Sequence, residues 1–427
     1  MRRFNVTGHC IPEEDYMVDI SGKISQIKEL IDDRCYFTIN RARQYGKTTM
    51  LYALRRYLPD EYLAVKISFE GLDDGSFESP ERFCFAFIRQ IIKALRSPSV
   101  EVEQEYAEKW ADDSITNFDL LSCHITQMCK GKKIVLMIDE VDKTSNNRVF
   151  IQFLNMLRDK FLARKSGDDY TFHSVILAGV YDVKNIKSKM INEGLYIPSE
   201  TEDKIYNSPW NIAVNFNVDM SFNPAEIATM LKEYESDFNN NMDITVISEE
   251  IYSYTSGYPF LVSRICQCID VELNKEWTVY GVQKAVKIIL EEKNTLFDDL
   301  YKNLENNTNL YNLIYDILIM GKQRTYSVGN PTIDWGMMFG IIKKTEESII
   351  ISNKIFEIII CDYFISKNED KQSSEVTNIF KDDIIKNGKF DMELCMKKFA
   401  EYYAELYSNR DLKFIERDGR FLFIMYI

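Results

Sequence analysis

The sequence predicts an α/β fold, a parallel sheet with helices on both faces, followed by an all-helical part and a small module of helices and a two-stranded wing. Three observations predict it. In the first 220 residues, apolar runs of strand length alternate with stretches of helical period, the pattern of a sheet whose faces are both covered. One such run leads through a short loop into an amphipathic helix, and another ends in two adjacent acids. Beyond about residue 220 the runs give way to helical patterns with short links.

Taken in order, residues 1–33 read as a lead-in with one helix, Ser21 to Ile31. A buried strand follows at Tyr36–Ile39, then the loop, then a helix carried by Met50, Leu51, Leu54 and Leu58 and stopped by Pro59. Leu63 to Phe69 alternates as a second strand, and Phe83 to Leu95 is an amphipathic helix. After a mixed stretch at 101–130 come a strand at Ile134–Ile138, a helix at Arg148–Leu162 and a strand starting at Val175–Leu177. Helical patterns then recur at Glu226–Tyr234, Glu249–Tyr254, Pro259–Leu273 and Gly281–Leu290. A hairpin is expected from Ile341–Lys344 and Ser348–Ser352, with a helix from Asn353 to Phe364 after it. The predicted division is a core at 1–220, a helical lid at 221–300, a winged-helix domain at 301–366, and at 367–427 a linker with the start of a further domain. That last part holds one helix, Met392 to Tyr407, and an apolar strand, Arg420 to Ile427.

At 427 residues the chain is long enough for two or three domains, and 45% hydrophobic residues supply their cores. A net charge of −14 argues against wholesale electrostatic capture of nucleic acid. The nine cysteines are scattered without a C-x-x-C pair, as expected of reduced thiols in a cytoplasmic protein. The N-terminus lacks the apolar stretch of a signal peptide, and no apolar run reaches membrane-spanning length, so no membrane partner is expected.

The chemistry concentrates at two places. A phosphate loop needs backbone N–H groups turned toward one point at the positive end of a helix. Gly46-Lys47-Thr48 meets this between a strand and an amphipathic helix, with Lys47 placed for the β and γ phosphates and Thr48 for Mg²⁺. The full pattern G-x-x-x-x-G-K-[ST] asks for glycine where Arg41 stands. Asp139-Glu140 closes an apolar strand in the Walker B manner, with Asp139 in the Mg²⁺ shell and Glu140 polarising the attacking water. A strand ending in Asp also suits a helix N-cap. The gap from Lys47 to Asp139 suits P-loop folds with an extra strand between the two motifs.

With these residues in place, the chain resembles the AAA-like ATPases of bacteria and archaea that commonly carry a C-terminal PD-(D/E)XK nuclease-like domain. The resemblance rests on Phe4–Gly8, Tyr16–Asp19, Arg41–Thr49, Ile67–Gly71, Val175–Asp182, Thr255–Phe260 and Ile351–Phe356. It implies that arginine at position 41 is typical, and that Arg43, Gln44, Tyr45, Gly46, Lys47, Thr48 and Thr49 form the nucleotide loop. Gly257-x-Pro259 is similar to a lid motif that approaches the base, and equally reads as a plain helix start with proline near its first position. Asp182 is a sensor-type residue or a cap, and Arg41 and Arg43 touch the nucleotide or neither does. The strings Glu291-Glu292-Lys293 and Asp411-Leu412-Lys413 lack the flanking strand that a nuclease site requires, so the chain reads as a truncated or nuclease-less member.

The expected function is an ATP- and Mg²⁺-binding, ATP-hydrolysing switch of the AAA/STAND type. The alternative is a non-hydrolysing nucleotide-bound scaffold or a winged-helix DNA-binding regulator. The hairpin sets Lys343 and Lys344 against Glu346 and Glu347, so weak nucleic-acid contact or a protein-facing role is expected of it. A homo-oligomer or a protein partner fits either reading.

Overall fold

The computed structural model of the protein describes residues 2–97, 100, 104–144, 147–180 and 210–372, and beyond these 385–386, 389–390, 393, 396 and 397. Four strands, β1 (Tyr36–Asn40), β2 (Tyr62–Ser68), β3 (Lys133–Asp139) and β4 (Ser174–Gly179), form a parallel sheet in the order β1-β4-β3-β2. β4 is inserted between the strand that leads to the loop and the strand that ends in Asp139. Along the outer edge of β1, Val214 N–H donates to Tyr36 C=O at 2.9 Å and bridges Phe37 in parallel, so the sheet continues for one residue.

The period-two alternation of these strands divides the core in two. On one face Val135 and Met137 of β3 and Ile176 of β4 pack with Ile24, Ile27 and Ile31 of α1 (Ser21–Asp32) and Met50, Leu51 and Leu54 of α2 (Lys47–Tyr57). On the other, Leu136, Ile138 and Leu177 meet Phe83, Phe87 and Ile91 of α3 (Pro80–Leu95) and Phe150, Phe153 and Leu157 of a long helix over Arg148–Ser166. Two further helices, α4 (Gln104–Lys109) and α5 (Phe118–Cys129), precede β3, which makes the Arg148–Ser166 helix α6. By the same alternation Asp139 falls on the α2 face, level with the start of that helix.

Helix ends follow local chemistry. Ser79 caps α3 through the Arg82 N–H, with Pro80 inside the first turn. α7 (Pro224–Phe238) opens with a capping box of Asn223 and Glu226. Glu226 is also held at 2.6 and 2.8 Å by the buried Lys23 of α1, which ties this helix to the sheet layer.

The chain divides into two compact units, the first of residues 1–252 and 257–282 and the second of 253–256 and the chain from 283 onward. The first holds the sheet, α7, most of α8 (Ile244–Thr255) and α9 (Pro259–Val271); α10 (Val279–Leu290) runs out of it. The second contains α11 (Thr295–Asn306), α12 (Thr308–Leu318), α13 (Pro331–Met338), the antiparallel hairpin β5 (Ile342–Lys344) and β6 (Ile349–Ile351), and α14 (Lys354–Gln372). Its hairpin gains a one-residue third strand where Ile349 N–H donates to Arg324 C=O at 2.9 Å. α14 continues six residues past the expected end of this module at 366, and a minimal pairing, β7 (Ile385–Lys386) with β8 (Lys389–Phe390), falls within the stretch expected to hold the linker and the start of a further domain. The expected strand at 420–427 lies outside the described residues, as does nearly all of the helix expected at 392–407. Among the described residues, no helix is long and apolar enough to cross a membrane.

Candidate functional site

The carboxyl ends of the parallel strands meet the start of α2, the place where such sheets leave backbone groups open. β1 ends at Asn40, and the chain turns through left-handed backbone at Gln44 (φ 55°) and Gly46 (φ 76°) before Lys47 begins α2. The loop therefore needs its glycine at position 46. Its left-handed turns do not fall on Arg41, and the guanidinium there faces away from the loop's interior. It donates to Asn40 C=O at 2.8 Å and Val218 C=O at 2.7 Å and lies over the Phe216 ring. Arginine at this position braces the strand end.

Lys47, 7% exposed, folds back inside the loop, and its Nζ donates at 2.9 Å to both Arg41 C=O and Ala42 C=O. Burial lowers its pKa, while Asp142, Glu140 and Asp139 oppose that fall. One residue on, Thr48 Oγ1 donates to Asp139 Oδ2 at 2.9 Å, joining the two motifs across the sequence. Asp139 Oδ2 also faces Lys66 Nζ of β2 at 3.3 Å, an ion pair with side chains 3% and 8% exposed. Among the described residues, both donors to the Asp139 carboxylate other than Lys66, the Thr48 hydroxyl and the Glu140 N–H at 3.1 Å, come from the motifs themselves. A hydroxyl and a carboxylate oxygen converging on one point form a hard oxygen set, which fits Mg²⁺ completed by phosphate and water.

Glu140 sits in left-handed backbone (φ 55°), a conformation that turns its side chain out of line with the strand. Burial raises its pKa above the ordinary carboxylate value, with Asp139 adding to the rise and Lys47 opposing it. Two residues further, Asp142 accepts the Val180 N–H at 2.6 Å. A Cβ on Gly179 would lie 2.6 Å from Asp142 Oδ1, so glycine permits the exits of β3 and β4 to meet. Asp182 lies outside the described residues.

Beside the loop opens a cleft of about 360 Å³. Its walls are Gln44 to Gly46 with Thr49 and Met50, the N-terminal stretch from Asn5 to Gly8 with Cys10, Phe222, and Pro259 with Phe260 at the start of α9. Thr49 Oγ1 accepts the Cys10 N–H at 3.2 Å. The neighbour of Pro259, Tyr258, donates its hydroxyl to Arg43 C=O at 2.5 Å and packs edge-on against the Tyr45 ring. Of the expected residues, Gln44, Tyr45, Gly46, Thr49 and Pro259 thus line one cleft, Arg43 reaches its rim through the carbonyl that Tyr258 holds, and Lys47 and Thr48 turn instead to the loop carbonyls and to Asp139. Sequence reasoning missed Lys66, Tyr258 and the role of Asn5–Gly8 as a cleft wall. Lys66 had a legible signal, since it is the one charge on the face of β2 shared by Tyr62, Ala64 and Ser68.

The model of a sequence family described as an AAA-like domain matches residues 16–362, about four-fifths of the chain. Among solved structures, the Walker-type ATPase of Pyrococcus abyssi is similar at a TM-score of 0.56 and 12% identity, over 84% of this chain and 99% of that one. This likeness shows a shared fold. A looser similarity, TM-score 0.40 at 12% identity over 84% and 97% of the two chains, is to the ORC2 protein of Aeropyrum pernix. Among curated proteins, an uncharacterised WD repeat-containing protein of Synechocystis is 21% identical over 366 residues. That match takes 81% of this chain but spans only 29% of the relative.

Proposed function

Because the chain belongs to the AAA-like domain family, we propose that its first unit binds ATP with Mg²⁺ and hydrolyses it as a conformational switch. The observation that carries this reading is the convergence of Lys47, Thr48 and Asp139 at the open N-terminus of α2. The N–H groups of Gly46 to Thr49 and the positive end of α2 receive the phosphates. Lys47 exchanges its two carbonyl acceptors for β- and γ-phosphate oxygens. Thr48 and Asp139 hold the metal, which when bound neutralises phosphate charge. Glu140 orients and deprotonates the attacking water. Arg43, Gln44, Tyr45 and Thr49 shape the loop, and Pro259 closes the cleft where the base would lie. We assign 1–220 to the nucleotide core, 221–300 to a lid, 301–366 to a winged helix, and 367–427 to a linker and the start of a nuclease-like domain.

A second role for the 301–366 module is supported by the hairpin. Lys343 Nζ donates to Ser256 Oγ at 3.0 Å, and Lys344 lies over the Tyr326 ring at 4.4 Å. Both hairpin cations are thus engaged within the protein, which supports a protein-facing use of the module over tight DNA binding.

Lys47→Ala tests the site. Calorimetry with ATP should show affinity weakened by roughly a hundredfold, because the phosphates lose a charged partner. Affinity equal to that of the wild type would remove the phosphate-loop assignment.

A further inference from the structure

Lys66 belongs neither to the phosphate loop nor to the strand-end acids, yet its ammonium stands where a metal ligand would be approached. Its position follows from the pleat. In β2 the residues Tyr62, Ala64, Lys66 and Ser68 share the face turned to α2, and Lys66 pairs in register with Met137, two residues before Asp139. The Lys66 side chain is 8% exposed, and two groups among the described residues face Nζ. One is Asp139 Oδ2 at 3.3 Å, the same oxygen that accepts Thr48 Oγ1. The other is the face of the Tyr52 ring on α2, 4.5 Å from Nζ to the centroid. A buried ion pair is a poor source of stability, because desolvation offsets its attraction. Its placement on the one carboxylate oxygen shared with Thr48 gives it a different use.

We propose that Lys66 is the resident cation of Asp139, displaced by the divalent metal, so that the metal enters effectively only together with nucleotide phosphate. The inference rests on the reading of Thr48 and Asp139 as metal-holding residues. Without nucleotide, Lys66 neutralises Asp139, and a divalent ion must expel an ammonium from a nearly buried oxygen. With nucleotide, phosphate negative charge draws in the metal and relieves Asp139 of Lys66. The Tyr52 face then receives the ammonium, since a ring at this distance attracts a cation. Lys66 is a positioning residue that sets the threshold for metal entry.

The test uses the full chain without nucleotide and Mn²⁺ as the probe, with free Mn²⁺ read by electron paramagnetic resonance. Lys66→Met should bind Mn²⁺ roughly tenfold more tightly than the wild type, because Asp139 loses its competing charge. Lys66→Arg should stay near the wild-type value. Lys66→Gln, which keeps a hydrogen-bond donor, replaces the methionine variant if that protein's thermal midpoint shows it unfolded, and should also tighten Mn²⁺. Equal Mn²⁺ affinity in the neutral variants and the wild type overturns the proposal, and so does an arginine variant that behaves like the neutral ones. Calorimetry of ATP with the wild type in MgCl₂ runs alongside. Failure there counts against the nucleotide reading, while the Mn²⁺ series still decides the role of Lys66.

Discussion

Glu140 combines two costs that ordinary surface carboxylates avoid, left-handed backbone and a half-buried charge beside Asp139. Both suit a group that must point at a reacting water and hold a proton readily. Glu140→Gln keeps the shape and removes the basicity, so ATP should still bind with MgCl₂ present while turnover falls by about a hundredfold or more. Equal turnover in the variant would exclude Glu140 as the base and turn attention to Glu70 and Asp142. The sign of the pH effect follows from the raised pKa. The carboxylate form is the active one, so turnover should be lost as pH falls through a value above the ordinary ~4.3 of glutamate. An acid limb at or below that value would mean that the burial seen here does not govern the reaction. Asp139 and Glu140 were readable because an apolar strand ending in acids is conspicuous. Lys66 stood out as a lone charge on its strand face, but its pairing did not, because its partner lies on a neighbouring strand and linear spacing carries no register.

Elements place the cleft as much as single side chains do. The turn between α8 and α9 depends on Gly257, whose φ is 74° and whose missing Cβ would lie 1.9 Å from Phe222 C=O. Phe222 N–H in turn donates to Gly257 C=O at 2.8 Å, and Phe222 lines the cleft. Gly257→Ala should therefore cost about 2 kcal/mol or more in denaturant unfolding and weaken ATP binding as the Phe222 wall shifts. Unchanged stability and affinity would show that the turn relaxes without moving the wall. The four strands and the helix after the loop were legible within a residue or two, since each is a continuous apolar or amphipathic pattern. The start of α8 was not, because Ile244 to Ser248 is rich in β-branched residues of weak helix propensity. The rung at Val214 left no trace either, since one paired residue has no period. Chain order alone also leaves open where β4 enters the sheet. Arg41 shows the opposite case, in which the sequence pattern asked for glycine and the backbone turns elsewhere.

At the scale of the whole molecule, a charge of −14 meets a hairpin whose lysines are already engaged. A duplex-DNA gel shift should show weak binding that falls by about tenfold or more between roughly 50 and 200 mM salt. Retention undiminished by salt would reveal a recognition surface elsewhere on the protein. Finally, the path of the chain has a practical side. It leaves the first unit at Tyr252, lends residues 253–256 to the second, returns at Gly257 and crosses again after Val282. Anyone trimming the gene to obtain the first unit alone faces a stitched seam. A fragment ending at 282 carries four residues of the other unit, among them Ser256, whose partner Lys343 has been cut away, three positions ahead of the proline that borders the cleft.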